Sequence, residues 1–426
     1  MSIYDYYRKA YKVTTDSRHV EPEAVFFALK GERFDGNDFA MEVAEKGVAS
    51  LVVADRPSLP DHPRIIKVSN ALQALQGLAM MHRMMMPNLT VIAITGTNGK
   101  TTTKELVSAV LGKKYPLIHT EGNLNNHIGV PLTLLRITPE TRIAVVEMGA
   151  SHPGEIEFLA NIAEPDYGLI TNIGRAHLEG FGDFKGVVRT KNELYQNLRK
   201  NEKTIFVNSD NATLMELIDH NDHLYSYGKN SHADCIVKPE SCDPYLKVYQ
   251  ERLGEVQTKL VGDYNFENVA AAIAVGRYFG VADSDIREAI EGYTPTNGRS
   301  QVIEGKNRII MDAYNANPTS MTAAILNFKT ICGEHPLPIL GDMRELGKDS
   351  EAEHRKICDL LWANGFREAL LVGPCFSQYN EHPEYLTFTT VDDLTSYLQA
   401  HPIEGKTLLV KGSRGIRLEK ALPFIQ

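Results

Sequence analysis

The chain has 426 residues, 43% of them hydrophobic and 23% charged, with a formal net charge of −9. That is long for one hydrophobic core and suits two or three units, and the negative balance argues against a broad basic footprint for nucleic acid. No apolar run approaches the ~20 residues needed to span a bilayer, and the opening MSIYDYYRKAYKV is too polar and aromatic for a secretory leader. The cysteines (Cys235, Cys242, Cys332, Cys358 and Cys375) are odd in number and scattered, with no Cys-x-x-Cys pair. They fit reduced thiols of a cytosolic protein, with neither a zinc site nor a disulfide frame.

Residues 1–86 mix short strand signals at 24–29, 50–54 and 64–68 with a helix over 71–86. Met80, Met81, Met84, Met85 and Met86 on that helix are expected to fill core space. Pro87-Asn88 then reads as a linker. Over 87–298, apolar runs at 91–95, 143–147, 167–171 and 204–208 are separated by helical stretches, the last an alanine-rich helix over 265–279. Continuous apolar strands between helices predict a parallel sheet covered on both faces. After Thr296-Asn297-Gly298 the alternation restarts, with strands at 308–312, 337–340, 369–372 and 407–411, each ending in small, polar or charged residues. Ligands of open α/β sheets sit beyond the carboxyl ends of the strands, so residues 299–426 predict a second ligand-binding unit. The expected fold is α/β in three domains: a small N-terminal α/β domain (1–86), a central P-loop domain with a parallel sheet (87–298) and a C-terminal Rossmann-like domain (299–426).

The stretch VIAITGTNGKTTTK at 91–104 carries the plainest chemistry. A strand runs into a glycine-rich turn, and a helix opens with Lys and Thr. Backbone N–H groups from Gly96 to Lys100 can wrap a phosphate at the positive end of that helix. Lys100 would neutralise β/γ oxygens, and the Thr101 hydroxyl would ligate Mg²⁺. Ile94 stands where the general P-loop has its first glycine. The chain contains no Asn-Lys dipeptide, hence no Asn-Lys-x-Asp base reader of a GTPase, and its charge disfavours a nucleic-acid motor. A small-molecule kinase and a ligase both remain open.

Three further residues are candidates from position alone. Glu147 ends the run IAVVE, on the sheet edge that holds the phosphate loop, and is either a magnesium ligand or a surface charge. His177, in NIGRAHLEGFG, and Lys191, in VVRTKNELY, would by themselves be a structural hydrogen-bonder and a solvated lysine.

GTNGKTT followed by EMGA, AHLEGFG and RTKNE in this order resembles the Mur ligase superfamily, the ATP-dependent amide-forming enzymes of peptidoglycan precursor synthesis. DAYNANPTSM, LGDMRELG and KGSRG, with TTDSRHVEPEAVFFALKGERFDG and GNLNNHIGVPLTLL, resemble the branch that adds D-alanyl-D-alanine to UDP-N-acetylmuramoyl-tripeptide. The resemblance implies three roles for the three domains: a UDP-sugar-peptide domain, an ATP domain, and a C-terminal domain serving both ATP and D-Ala-D-Ala. It implies that Gly96, Thr97, Asn98, Gly99, Lys100, Thr101 and Thr102 hold the ATP phosphates, with two magnesium sites drawing on Thr101, Glu147, His177 and a carbamylated Lys191. Carbamylation turns an ammonium into a carboxylate-like group able to hold metal. Asn268 matches an adenine-side contact, Arg299 an arginine reaching the γ-phosphate, and Asp312 the ribose-binding acid. Tyr314, Asn315 and Asn317 match the reacting end, Ser17 and Arg18 the uridine pocket, and Asn126 the path of the nucleotide-sugar-peptide. Where the family generally carries His-Asn and Asp-Asp, this chain has Tyr264-Asn265 and Met311-Asp312. The implied chemistry is an acyl phosphate made from ATP and attacked by an amine, in a monomeric cytoplasmic ligase with no nucleic-acid or membrane partner. The rival readings are a sister ligase adding a single amino acid or glutamate to folate, a kinase, and a non-catalytic relative.

Overall fold

The computed structural model describes residues 1–296 and 298–426; Asn297, inside the predicted second boundary, lies outside the described residues. Among the described residues the strands make four sheets. The first is a small parallel sheet of β1 (Val13–Thr14), β2 (Val25–Phe27), β3 (Leu51–Ala54) and β4 (Ile65–Lys67), in that order. The three predicted strands of this region are β2 to β4, each shorter than predicted by one to three residues.

The helix Ala71–Met84 corrects one expectation. Met80, Met81, Met84 and Met85 are 40–68% exposed, Met86 alone packs against the core, and the last buried positions of the helix are His82 and Arg83. Ala71, Leu75, Leu78, Ala79 and His82 follow the 3.6-residue repeat and fix the inward face, so the methionines fall on the other side. That inward face meets the helices Gly129–Leu134 and Glu155–Ala163 of the next unit. His82 hydrogen-bonds the Ile137 carbonyl, and Arg83 donates to the Ala163 and Glu164 carbonyls and to Asp166. One apolar cluster therefore runs from Val25 and Phe27 through Leu75 to Val91 and Ala93.

The second sheet has seven strands, all parallel, as the uninterrupted apolar runs require. In chain order they are β5 (Thr90–Thr95), β6 (Leu117–His119), β7 (Ile143–Glu147), β8 (Tyr167–Ile170), β9 (Thr204–Asn208), β10 (His223–Gly228) and β11 (Cys235–Ile236). Their spatial order is β11-β10-β9-β8-β5-β7-β6, so the chain turns to opposite sides of β5. The carboxyl end of β5 is thus a topological switch point, where such sheets bind ligands. A third, antiparallel sheet of β12 (Lys238–Cys242), β13 (Tyr245–Gln250) and β14 (Gly254–Val261) was not expected from sequence. The alanine-rich helix is Phe266–Tyr278, and it packs on the P-loop helix Lys100–Leu111.

The last sheet holds β15 (Gln301–Glu304), β16 (Arg308–Asp312), β17 (Pro336–Gly341), β18 (Leu370–Val372), β19 (Leu386–Phe388) and β20 (Thr407–Lys411), in the order β15-β16-β20-β17-β18-β19. All pairs are parallel except the edge strand β15 with β16. The four predicted strands are present; the two outermost were not foreseen.

Candidate active site

The phosphate loop is held from beneath. Gly96 and Gly99 have φ of +145° and +77°, and a Cβ there would run into Thr171 and Asn268 respectively. Asn172 accepts the Thr97 amide (2.9 Å) through its carbonyl and the Asn98 amide (3.0 Å) through its side chain, and the Thr171 hydroxyl donates to the Asn98 carbonyl. Lys100 opens the helix and folds back, its ammonium donating to the Gly96 and Thr97 carbonyls at 2.8 and 3.0 Å. Burial pulls its pKa down, opposed by Glu147 and aided by Arg299. Three like or opposite charges thus already sense one another across this small space.

Glu147 ends β7 in register with Ile94 of β5, which sets its carboxylate beside the loop. It is 2% exposed. One oxygen accepts from the Asn125 side chain at 2.8 Å, while the other is buried with no hydrogen-bond partner. A buried anionic oxygen without a donor is costly and calls for a cation. The donor set around it, with the Thr101 hydroxyl and His177 on the same cleft, fits magnesium. Asn125, which orients the carboxylate, was missed from sequence in favour of its neighbour. Asn126 uses its side chain to accept the Ile128 and Gly129 amides at the start of a helix, and its residue still lines the cleft.

His177 has φ of +51°, and its Nδ1 is paired with the carboxylate of Glu345, a residue also at positive φ (+62°). The imidazole holds the Glu345 carboxyl below the usual carboxylate range. Lys191 is 2% exposed, lies 5.4 Å from the Phe181 ring centre, and has no hydrogen-bond or ion-pair partner among the described residues. Burial, helped by the charge of Lys100, lowers its pKa to about 7. It sits behind the cleft rather than on its wall.

Across from the loop stand residues of the last sheet. Asp312 and Lys411 are register partners on β16 and β20, and their side chains form an ion pair of 2.6 Å. The other Asp312 oxygen accepts the Ser300 amide at 3.2 Å. Met311, one of the two departures from the family resemblance, lies in the apolar core of the sheet. Tyr264, the other departure, hydrogen-bonds Ser300 Oγ at 2.8 Å; burial, then the charge of Asp312, pushes its hydroxyl well above the usual phenol range. The Arg299 guanidinium stacks on the Tyr314 ring at 3.6 Å. Asn317 caps the helix Pro318–Ile331 and also donates to Asn98 Oδ1 at 2.8 Å, tying the two walls together.

The walls enclose a cleft of about 1390 Å³ lined by Thr97–Thr102, Glu147, His177, Asn268, Arg299, Asp312, Tyr314, Asn315 and Asn317, among others. That exceeds the ~300–1,000 Å³ usual for one small ligand and suits two large ones together. Asn268 lines it, but its amide is engaged by Thr103 at 3.0 Å and Asn265 at 2.9 Å, so it braces the P-loop helix as well. Ser17 and Arg18 are not brought to the cleft; Arg18 makes a two-point contact with Asp16 on the exposed face of the first sheet.

Family models described as Mur ligase family, catalytic domain, Mur ligase middle domain, and Mur ligase, glutamate ligase domain match residues 9–86, 94–276 and 298–414. The chain belongs to the Mur ligase family. Among its Mur ligase relatives, the UDP-N-acetylmuramoyl-tripeptide–D-alanyl-D-alanine ligase of Bacillus subtilis is 36% identical, the match covering 96% of this chain and 91% of the relative. The enzyme of the same name from Escherichia coli is 35% identical over 97% and 93%. The crystal structure of MurF from Acinetobacter baumannii superposes with a TM-score of 0.86 at 32% identity, covering 97% of this chain and 92% of that one. MurF from Thermotoga maritima, solved in complex with ADP, gives 0.84 at 27% identity over 100% and 98%. The α/β fold of parallel sheets is thus the Mur ligase fold.

Proposed function

We propose that this Mur ligase is the ATP-dependent enzyme that joins D-alanyl-D-alanine to UDP-N-acetylmuramoyl-tripeptide, giving the pentapeptide precursor of peptidoglycan, ADP and phosphate. The observation that carries this reading is the cleft in which a phosphate loop faces Arg299, Asp312 and the Tyr314–Asn317 loop, in a chain similar along nearly its whole length to ligases of that name. The three units divide the work near residues 86 and 298: nucleotide sugar first, ATP in the middle, ATP and dipeptide last.

A carboxylate does not condense with an amine in water until it becomes an electrophile. The terminal carboxylate of the tripeptide attacks the γ-phosphorus of ATP in line; its oxygen forms the new P–O bond, and ADP leaves. The dipeptide amine then adds to the acyl carbon, loses a proton, and the C–O bond breaks to release phosphate. Two anions must approach in the first step. Lys100 from the loop and Arg299 from the opposite wall place positive charge where the equatorial oxygens gather it. Loss of Arg299 is expected to cost ~10³-fold or more in rate. Asp312, fixed by Lys411 and Ser300, serves the ribose, and Asn317 holds the walls together over the reacting groups. Thr101, Glu147, His177 and a carbamylated Lys191 would hold up to two magnesium ions, which when bound neutralise the phosphates and polarise the γ-phosphoryl group. Lys191 suits carbamylation because an amine must be neutral to attack CO₂, and a pKa of about 7 leaves it largely so at mildly alkaline pH.

No described helix is long and apolar enough to cross a membrane. A cytoplasmic monomer that binds no nucleic acid completes the reading. The deciding assay is phosphate release from ATP with UDP-N-acetylmuramoyl-tripeptide, with and without D-Ala-D-Ala, followed by mass analysis. Release that needs both, with a pentapeptide product, establishes the reaction. Release that ignores the amine points to a kinase, and turnover with a single amino acid moves the chain to a sister ligase.

A further inference from the structure

Below the turn that follows β17 lies a cluster that the cleft does not use: Asp342, His354 and Cys375, whose ligand atoms lie within 4.8 Å of one another. Asp342 and His354 are buried. The spacing would suit a divalent cation, but the imidazole nitrogen that a cation would need is taken. His354 Nε2 accepts the Met343 amide at 3.1 Å. Asp342 accepts the Cys375 and Phe376 amides, one on each oxygen, at 2.9 Å. The cluster is built around backbone amides.

His354 can do this in one form only. An amide N–H cannot accept, so Nε2 must offer its lone pair. Nδ1 lies 2.7 Å from the Ser350 carbonyl, which cannot donate, so Nδ1 carries the proton. The ring is therefore neutral. Burial lowers its pKa, against the opposing influence of the Ser350 carbonyl and the charges of Asp342 and Glu353. Edge-on packing against Phe376, with ring centres 4.7 Å apart, fixes the plane of the imidazole.

The amide that His354 holds belongs to a turn with a consequence. The amides of Asp342, Met343 and Arg344 are met in succession by the Val372 carbonyl, His354 Nε2 and Ser413 Oγ, at 2.9, 3.1 and 3.0 Å. The next residue is Glu345, at φ of +62°, and it reaches across to His177, at φ of +51°. Two such residues in the left-handed region persist only where their surroundings over-determine them. His354 ties this turn to the helix Ser350–Ala363.

We infer that His354 is a positioning residue for the reaction: it holds the Met343 amide, and with it the turn that delivers Glu345 to His177. This rests on the ligase reading above, with His177 as a magnesium ligand. Position 354 must supply a hydrogen-bond acceptor; neither charge nor bulk will replace it.

The test measures the magnesium concentration that half-saturates phosphate release in the full-length wild type, His354→Gln, His354→Leu, Glu345→Gln and the His354→Leu/Glu345→Gln double variant. Gln offers an oxygen to the Met343 amide, whereas Leu fills space without a lone pair. The requirement should rise ~10-fold in His354→Leu and stay within about threefold of wild type in His354→Gln. ADP binding measured without metal should not change. The double variant should be no worse than Glu345→Gln, because the two residues act through one contact. Equal losses in the Gln and Leu variants, or additive losses in the double variant, would make His354 mere core packing and overturn the proposal. No change in Glu345→Gln also overturns it, while dipeptide-dependent turnover keeps the ligase reading intact. Should the variants misfold, the wild type still decides. Nitrogen-15 NMR of the His354 ring, assigned by its contact with Phe376, should show a neutral imidazole protonated on Nδ1. A proton on Nε2, or a charged ring at neutral pH, overturns the proposal. Wild-type phosphate release that ignores D-Ala-D-Ala overturns the ligase reading and this role together.

Discussion

Glu147 and Asp312 occupy like positions, each the last residue of a strand and each lining the same cleft, and their surroundings differ. Asp312 is complete: Lys411 and the Ser300 amide take its two oxygens. Glu147 has one oxygen held by Asn125 and one buried and unmatched. A carboxylate balanced by the protein is a fixed shape for a neutral ligand to read, whereas one left unbalanced in a dry place waits for a cation from outside. At these two positions the C-terminal wall is finished surface, and the P-loop wall leaves a buried carboxylate oxygen unmatched.

Removing the unbalanced charge breaks this contrast most directly. Glu147→Gln keeps the shape and the Asn125 contact and should cost on the order of 10³-fold in kcat/KM, the scale of losing a preorganised electrostatic group. Stability should change little, because the substitution removes an unpartnered buried oxygen while Lys100 loses the opposite charge beside it. A magnesium titration of activity and a thermal melt together check this; a variant that loses stability and keeps its rate would reverse the assignment.

Glu345→Gln sharpens the comparison from the other side, since the C-terminal wall lends this acid to His177. On the proposed role of His177 as a magnesium ligand, the carboxylate behind it contributes ~10–100-fold in metal affinity or activity. The magnesium requirement should rise by ~10–100-fold while ADP binding measured without metal stays unchanged. A change in ADP binding alone would make Glu345 a merely structural contact.

The contiguous parts of this site were legible in sequence and the assembled parts were not. Gly96–Lys100 reads as a phosphate loop because strand, turn and helix lie within a dozen residues. Lys411 is 99 residues from Asp312, and Glu345 is 168 from His177; only strand register and domain contact bring them together. The exposed methionines of Ala71–Met84 show the same limit, because the helix turns His82 inward on its repeat and buries Arg83 against carbonyls and an acid more than 75 residues away. The β12–β14 sheet escaped because β12, KPESC, is almost wholly exposed and carries no apolar alternation.

Two buried lysines near the loop extend the contrast between finished and unfinished charge. Lys104 is paired with Glu105 and donates to the Thr120 carbonyl at 2.6 Å; Lys191 has neither kind of partner among the described residues. With a folded pKa near 7 and an unfolded one near 10.5, the unfolded chain binds more protons between those values. Stability therefore rises with pH across that window, and the handicap is full below it. Without CO₂, the wild type should gain ~2 kcal/mol relative to Lys191→Met between pH 7 and 9. Bicarbonate should raise the wild-type melting point and leave that of the variant alone. Parallel pH dependence in the two proteins would mean that Lys191 is already neutral or paired.

The smallest effect belongs to Tyr264. Its hydroxyl meets Ser300 Oγ, and the Ser300 amide meets Asp312, so the phenol reaches the finished acid through one residue held at φ of +51°. Tyr264→Phe removes one hydrogen bond and leaves a hydroxyl that can turn to water, which should cost about 1 kcal/mol and lower the melting point by ~2–4 °C. If the contact only joins two elements, ATP affinity will not change. If it also aims Asp312, KM for ATP will rise a few-fold, and a 2′-deoxy analogue, lacking one of the ribose hydroxyls, will be less affected than ATP. That difference separates a brace from a positioning role, and it tests whether the finished wall is finished by Lys411 alone.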